Sequence, residues 1–212
     1  MELYLVRHGE SDIPPGRIQK DYPLSPLGRQ QAERVGKRFE GVKIDHLVTT
    51  PYRRCLETAQ AIADCTGVDH VEIPGLGAID AGPLHDIPIV EIGEKYPELS
   101  KPGIFDFSAA GGESPQSFSE RITTSFVEHI WDRYWKEDLT VVSVSHEETI
   151  NAILHHILKA PFEGFHTFRI DHTSVSALDV RFGRPRIRYT NDHSHLGDLP
   201  VGQSGKGRPA RV

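Results

Sequence analysis

The run Glu2-Leu-Tyr-Leu-Val-Arg-His-Gly-Glu-Ser11 decides the fold. Leu3 to Val6 are apolar, and they stop abruptly at Arg7-His8-Gly9-Glu10-Ser11. A short apolar run bounded by charge and glycine reads as a buried strand that hands its last residues to a loop. Gly9 permits a tight turn or a close backbone approach, so His8 is held in place by main chain at the strand's end.

Downstream of this strand, Pro14, Pro15, Gly16, Pro23 and Pro26 mark residues 12–26 as loop. Ala32, Val35 and Phe39 then recur at helical spacing from Leu27 to about Glu40, with Gly41 as the cap. Residues 44–49 read as a second strand. Thr50-Pro51 is expected to open a helix, with the threonine as cap and the proline in the first turn. Cys55, Ala59, Ile62 and Ala63 form the inner stripe of that helix. Residues 75–113 are irregular and rich in glycine and proline, as befits a segment that covers a site. Ser114-Pro115 again looks like a cap and a first-turn proline, opening a long helix to about Glu137 with Phe118, Ile122, Phe126, Ile130 and Tyr134 every four residues. Residues 139–144 (LTVVSV) make the clearest central strand and end in Ser145-His146-Glu147-Glu148. A helix follows to Ala160 and stops at Pro161. Residues 166–190 look like a pair or trio of strands with a turn near Gly183.

This order implies an α/β three-layer sandwich, a mostly parallel open sheet with helices on both faces. One domain is expected over residues 1–197. A mobile tail is expected over 198–212, where glycine, proline, serine and basic residues leave little to bury.

Composition narrows the function. The 212 residues are 37% apolar and 25% charged, with a formal charge of -6. That balance argues against nucleic acid as partner, because nucleic-acid binding needs clustered positive charge. It leaves room for a small anionic substrate, which responds to the local field. No run approaches the roughly 18 apolar residues that span a bilayer, and the N-terminus lacks a signal-peptide pattern, so no membrane partner is expected and the cytoplasm is the default location. Cys55 and Cys65 form neither a disulfide framework nor a metal motif. Neither HExxH nor Cys/His ligand spacing occurs, so neither a metal nor any other cofactor is expected.

In open α/β sheets, ligands bind beyond the carboxyl ends of the strands. Three strands deliver polar residues there: Arg7-His8, Thr50 leading to Arg53-Arg54, and His146. A neutral imidazole is a competent nucleophile toward phosphorus. A guanidinium offers planar donors that match phosphoryl oxygens. Only one of Arg53 and Arg54 can point fully inward. A second imidazole opposite His8 could stabilise the charge in transfer.

Leu3-Tyr-Leu-Val-Arg-His-Gly-Glu-Ser11 resembles the signature of the histidine phosphatase family, also called phosphoglycerate-mutase-like. Leu24-Ser-Pro-Leu-Gly-Arg-Gln-Gln-Ala32, Thr50-Pro-Tyr-Arg-Arg-Cys-Leu-Glu-Thr-Ala59, Gly111-Gly-Glu-Ser114 with Arg121, Val142-Ser-Val-Ser-His146 and Asn191-Asp-His-Ser-His-Leu196 resemble its further blocks in order. The resemblance covers roughly residues 2–196. It implies that His8 takes a phosphoryl group from a phosphorylated small molecule, that Arg7, Arg54 and His146 bind it, and that water releases phosphate without a metal. It also leaves oligomeric state open, a homodimer included.

Two departures stand out. The family's middle loop carries a glutamate two positions after a leucine, where it protonates the leaving oxygen. Here Leu76-Gly-Ala78 puts alanine at that place. Missing acid catalysis costs a factor of about 10²–10⁴. Glu147, Asp80 and Glu113 are the candidate replacements, in that order. An asparagine that many members carry beyond the first histidine is also absent. Ser11 and Arg17 are candidates to compensate, and Gln19 keeps the position of a familiar polar residue. Hydrolysis is expected rather than a mutase reaction, because the loop between Ala63 and Ile92 is short. The alternative is a phospho-ligand binder without turnover, whose warrant is the missing glutamate.

Overall fold

The computed structural model describes residues 1–18, 20–100, 106–162 and 164–201. Six strands form one sheet: β1 (Glu2–Arg7), β2 (His46–Thr49), β3 (His70–Glu72), β4 (Thr140–Ser145), β5 (Val175–Arg181) and β6 (Arg184–Asp192), in the order β3-β2-β4-β1-β5-β6. β1 and β4 run parallel in register from Glu2 opposite Thr140 to Arg7 opposite Ser145. β2 is parallel to both β4 and β3. β5 is antiparallel to β1, and β6 to β5. Phe182 and Gly183 join β5 to β6 with φ of 52° and 71°, the two left-handed positions that a tight hairpin matched to strand twist requires.

The strands alternate between two cores, as a period of two dictates. Leu3, Leu5, Val48 and Val141 pack on one face with Phe118, Ile122, Phe126, Ile130, Ile150 and Ile153. Val6, Leu47, Val142 and Val144 pack on the other with Val35, Phe39, Cys55, Ala59 and Ile62. The first face carries α4 (Pro115–Phe126) and α6 (Glu147–Leu158), and the second carries α1 (Pro26–Phe39) and α2 (Arg53–Thr66). This is the three-layer α/β sandwich expected of the sequence.

Three local expectations change. Thr50 does not cap α2; Tyr52 is the N-cap in extended conformation without a side-chain cap bond. The Thr50 hydroxyl lies 3.1 Å from His146 Nε2 instead. Asp21 reaches across to accept from Arg53 N at 2.7 Å, satisfying a donor that an end cap would otherwise take. The long helix is not uniform: after α4 it widens to a π-helical turn over Val127–Trp131 and resumes as α5 (Asp132–Tyr134). A strict four-residue repeat overshoots an α-helical turn by about 40° per step. The wider turn keeps Ile130 in the core with Phe126, both fully buried. Finally, residues 75–113 contain more structure than their glycines and prolines suggest. Short 3-10 turns and α3 (Ile89–Lys95) gather Ala81, Leu84, Ile92, Phe107 and Ala110 into a small core of their own. Of the tail, Pro200 accepts from Gln31 Nε2 at 2.9 Å; residues 202–212 lie outside the described residues.

Candidate active site

β1 ends in Arg7, and His8 N bonds Ser145 O at 3.0 Å, so the backbones of β1 and β4 fix where His8 begins. The chain then turns against α1. A Cβ on Gly9 would stand 2.6 Å from Gly28 O, and one on Gly28 would stand 1.9 Å from Glu10 O. Only two facing glycines allow this approach.

The His8 ring is buried. Its Nδ1 is 2.7 Å from Gly9 O. A carbonyl only accepts, so Nδ1 carries the proton and Nε2 keeps its lone pair. Arg54 Nε donates to that Nε2 at 3.2 Å. Burial, then the charge of Arg54, holds His8 well below the ordinary histidine value. His8 is therefore a neutral imidazole with Nε2 facing a guanidinium.

Arg54 is 1% exposed, whereas Arg53 is exposed, so Arg54 is the inward member of the pair. Its Nη2 lies 3.1 Å from His146 Nδ1 and its Nη1 donates to Lys20 O at 3.0 Å. The Tyr52 ring lies 4.7 Å from its guanidinium carbon. His146 is buried at the end of β4, with its ring 5.3 Å from that of His8. Burial and then Arg54 push its proton affinity well down too. His172, which the sequence reading passed over, places its ring 5.7 Å from His8. Cys55 Sγ lies 3.6 Å from His146 Nε2, but burial pushes its thiol up to about 12, so it stays protonated and inert.

Arg7 is 7% exposed; its Nη1 donates to Ile170 O at 2.6 Å and lies 3.0 Å from Glu147 Oε2. The other Glu147 oxygen lies 3.2 Å from His166 Nδ1. Two imidazoles and two guanidiniums thus gather at three strand ends.

The remaining described candidates are engaged in other contacts. Glu113 is held by Arg121, whose Nε and Nη2 each reach it at 2.7 Å, and it accepts from Asp80 N at 2.9 Å. Arg121 also donates to Gly75 O at 2.9 Å and Ala78 O at 3.1 Å, so this pair tacks the 75–80 loop to α4. Asp80 is 61% exposed and accepts from Gly82 N at 2.7 Å; that bond and His85 hold its carboxyl below the usual range. Such a group is a poor acid. Arg17 does not reach the two histidines. It bonds the Asp86 carbonyl and lies 3.5 Å from the Asp86 carboxylate. Ser11 forms an isolated bridge with Leu24. Gln19 lies outside the described residues. Asn191, from the closing segment, bonds Asp171 through Nδ2 at 2.8 Å and so supports the stretch beside His172 rather than the pocket. Among the described residues, no group of three or more His, Cys, Asp or Glu is placed to hold a metal ion, and no helix is long and apolar enough to cross a membrane.

A sheet of this topology with a neutral buried histidine facing arginine at its carboxyl edge defines a phosphatase-type enzyme that works through histidine. The chain belongs to the histidine phosphatase superfamily (branch 1), whose model matches residues 3–193. It is 31% identical over 209 residues to phosphoserine phosphatase 1 of Hydrogenobacter thermophilus, covering 95% of this chain and 97% of that one. A probable phosphoglycerate mutase of Enterobacter is 29% identical over 187 residues, 85% of this chain and 86% of the other. Among solved structures, Bacillus stearothermophilus YhfR superposes with a TM-score of 0.78 at 27% identity over 92% of this chain and 98% of its own. A mutant phosphoserine phosphatase of Entamoeba histolytica in complex with phosphoserine gives 0.72 at 27% identity, with the same coverage. The protein is a phosphomonoester hydrolase of this superfamily.

Proposed function

We propose that the protein removes phosphate from a small phosphomonoester by way of a phosphohistidine on His8 Nε2. One observation carries this reading: the Nδ1 bond to Gly9 O leaves the Nε2 lone pair facing the Arg54 donors. Attack forms the N–P bond and expels the ester oxygen. Arg54 and Arg7 hold the phosphoryl oxygens, and His146 stabilises the charge from across the pocket. Water then displaces Nε2 and phosphate departs.

Phosphoserine is the first substrate to try, because two relatives carry that activity in their names. A reducing compartment such as the cytoplasm suits the free thiols of Cys55 and Cys65.

The test is a brief reaction with labelled phosphoester followed by denaturation. The parent chain is expected to hold an acid-labile, base-stable label, and His8→Ala is expected to hold none and to lose turnover of p-nitrophenyl phosphate. Near-parental turnover by His8→Ala would end this mechanism.

A further inference from the structure

The pocket has a nucleophile and an anion cradle, but each carboxylate expected to supply its acid is engaged elsewhere. Glu147 faces Arg7 and His166. Glu113 is held in a two-bond pair with Arg121. Asp80 is turned to His85 and its own loop backbone. Ala78 supplies no carboxylate. Among the described residues, Glu148 is a carboxylate next to this site that takes part in no ion pair or hydrogen bond.

Its place is set by α6. Successive helix residues point about 100° apart, so Glu148 cannot follow Glu147 toward Arg7. The first turn of α6 packs against the loop that ends in Ala78: Thr149 Oγ1 lies 3.4 Å from both Leu76 O and Gly77 O. Glu148 is half-buried on that turn, two residues after His146. Tyr52 and Cys55, on the facing start of α2, both lie against the His146 ring that precedes it, Tyr52 at 5.0 Å between ring centres. The first turn of α6 therefore brings Glu148 to the side of the cradle that borders the loop where the family's acid is missing.

We infer that Glu148 is the acid that protonates the leaving oxygen, supplied by α6 in place of the glutamate absent at position 78. The inference rests on the phosphohistidine reading above. As His8 Nε2 forms its bond to phosphorus, the ester P–O bond breaks and its electron pair goes to the leaving oxygen. The Glu148 carboxyl gives that oxygen its proton, so an alcohol departs and a carboxylate remains. Water then enters. The carboxylate takes a proton from it, the new O–P bond forms, and the N–P electron pair returns to Nε2.

The test compares first-turnover release of alcohol from an alkyl phosphate with release of nitrophenol from p-nitrophenyl phosphate. Nitrophenolate needs little protonation, so the acid matters chiefly for the alkyl ester. Glu148→Gln is expected to slow alkyl release about 10²–10⁴-fold and nitrophenol release by less than about tenfold. Nitrophenol release by the variant also reports that the His8 site is folded. Equal slowing of both esters, no slowing of either, or the same leaving-group split in Glu147→Gln instead would overturn the assignment. If the parent chain turns over neither ester, the phosphohistidine reading has failed, and that result differs from all of these.

Discussion

Replacement of Arg54 tests the electrostatics of the site in two independent ways. Its guanidinium places Nε 3.2 Å from His8 Nε2 and Nη2 3.1 Å from His146 Nδ1, so two donors stand between the rings where phosphoryl oxygens would lie. Loss of one such donor costs roughly 2.7–4 kcal/mol of transition-state stabilisation, or about 10²–10³ in kcat. Arg54→Lys keeps a charge and one point donor but loses the planar fork, so kcat/KM should fall by about 10²–10³. Arg54→Ala loses both donors. Their effects are not additive, and a fall of about 10³–10⁵ is expected. Arg53→Ala, on the exposed neighbour, should change little. The second signature is in pH. His8 attacks only when neutral, and after burial the Arg54 charge is the strongest cause of its lowered proton affinity. Removing Arg54 relieves that repulsion, so His8 protonates more readily and the acid limb of kcat/KM moves to higher pH. Steady-state kinetics on p-nitrophenyl phosphate across pH 4–8 measures both, with circular dichroism as a check on folding. Similar losses in Arg53→Ala and Arg54→Ala, or an acid limb that stays put or moves down, would refute the reasoning.

Two further outcomes concern stability. His8 and His146 are buried with proton affinities well below the ordinary value of 6.5. Above that value both folded and unfolded chains are neutral there, and stability is complete. As pH falls below it, the unfolded chain takes up protons that the folded chain refuses, and stability drops by up to about 1.4 kcal/mol per pH unit for each group. Urea midpoints at pH 7.5, 6 and 5 should therefore decline, and less steeply in His8→Asn; a flat series in the parent chain would contradict this. Gly36 is where α1 meets α2: a Cβ there would lie 2.4 Å from Ala61 O. That contact is backbone and cannot swing aside, so Gly36→Ala should cost about 1–3 kcal/mol, and an unchanged urea midpoint would show that the two helices can separate freely.

Much of the site was legible because strands announce themselves. The apolar runs before Arg7 and His146 identify neighbouring parallel strands, and a parallel sheet can present their following residues only at one edge. The inward choice of Arg54 over Arg53 needed the register of α2. The shift of its cap from Thr50 to Tyr52 needed His146, ninety-six residues away, as a competing partner for the threonine. His172 sits in the turn that Ser174 N closes onto Asp171 O just before β5, outside any periodic run, so nothing local marks it as a neighbour of His8. The short β3 and the small core under residues 75–113 depend on contacts too few and too distant to leave a pattern.

The order of the main strands and helices, the two-sided sheet, the family and the identity of His8 as the candidate nucleophile were legible in the sequence alone, since each follows from local runs of side chains. The tertiary structure decided which charges meet. The sequence puts Glu147 first among the candidate acids, but the fold turns it onto Arg7 and His166, while Glu148, one helix residue on, forms no ion pair among the described residues. Pairing of charges depends on direction in space, and a linear chain specifies direction only once it is folded.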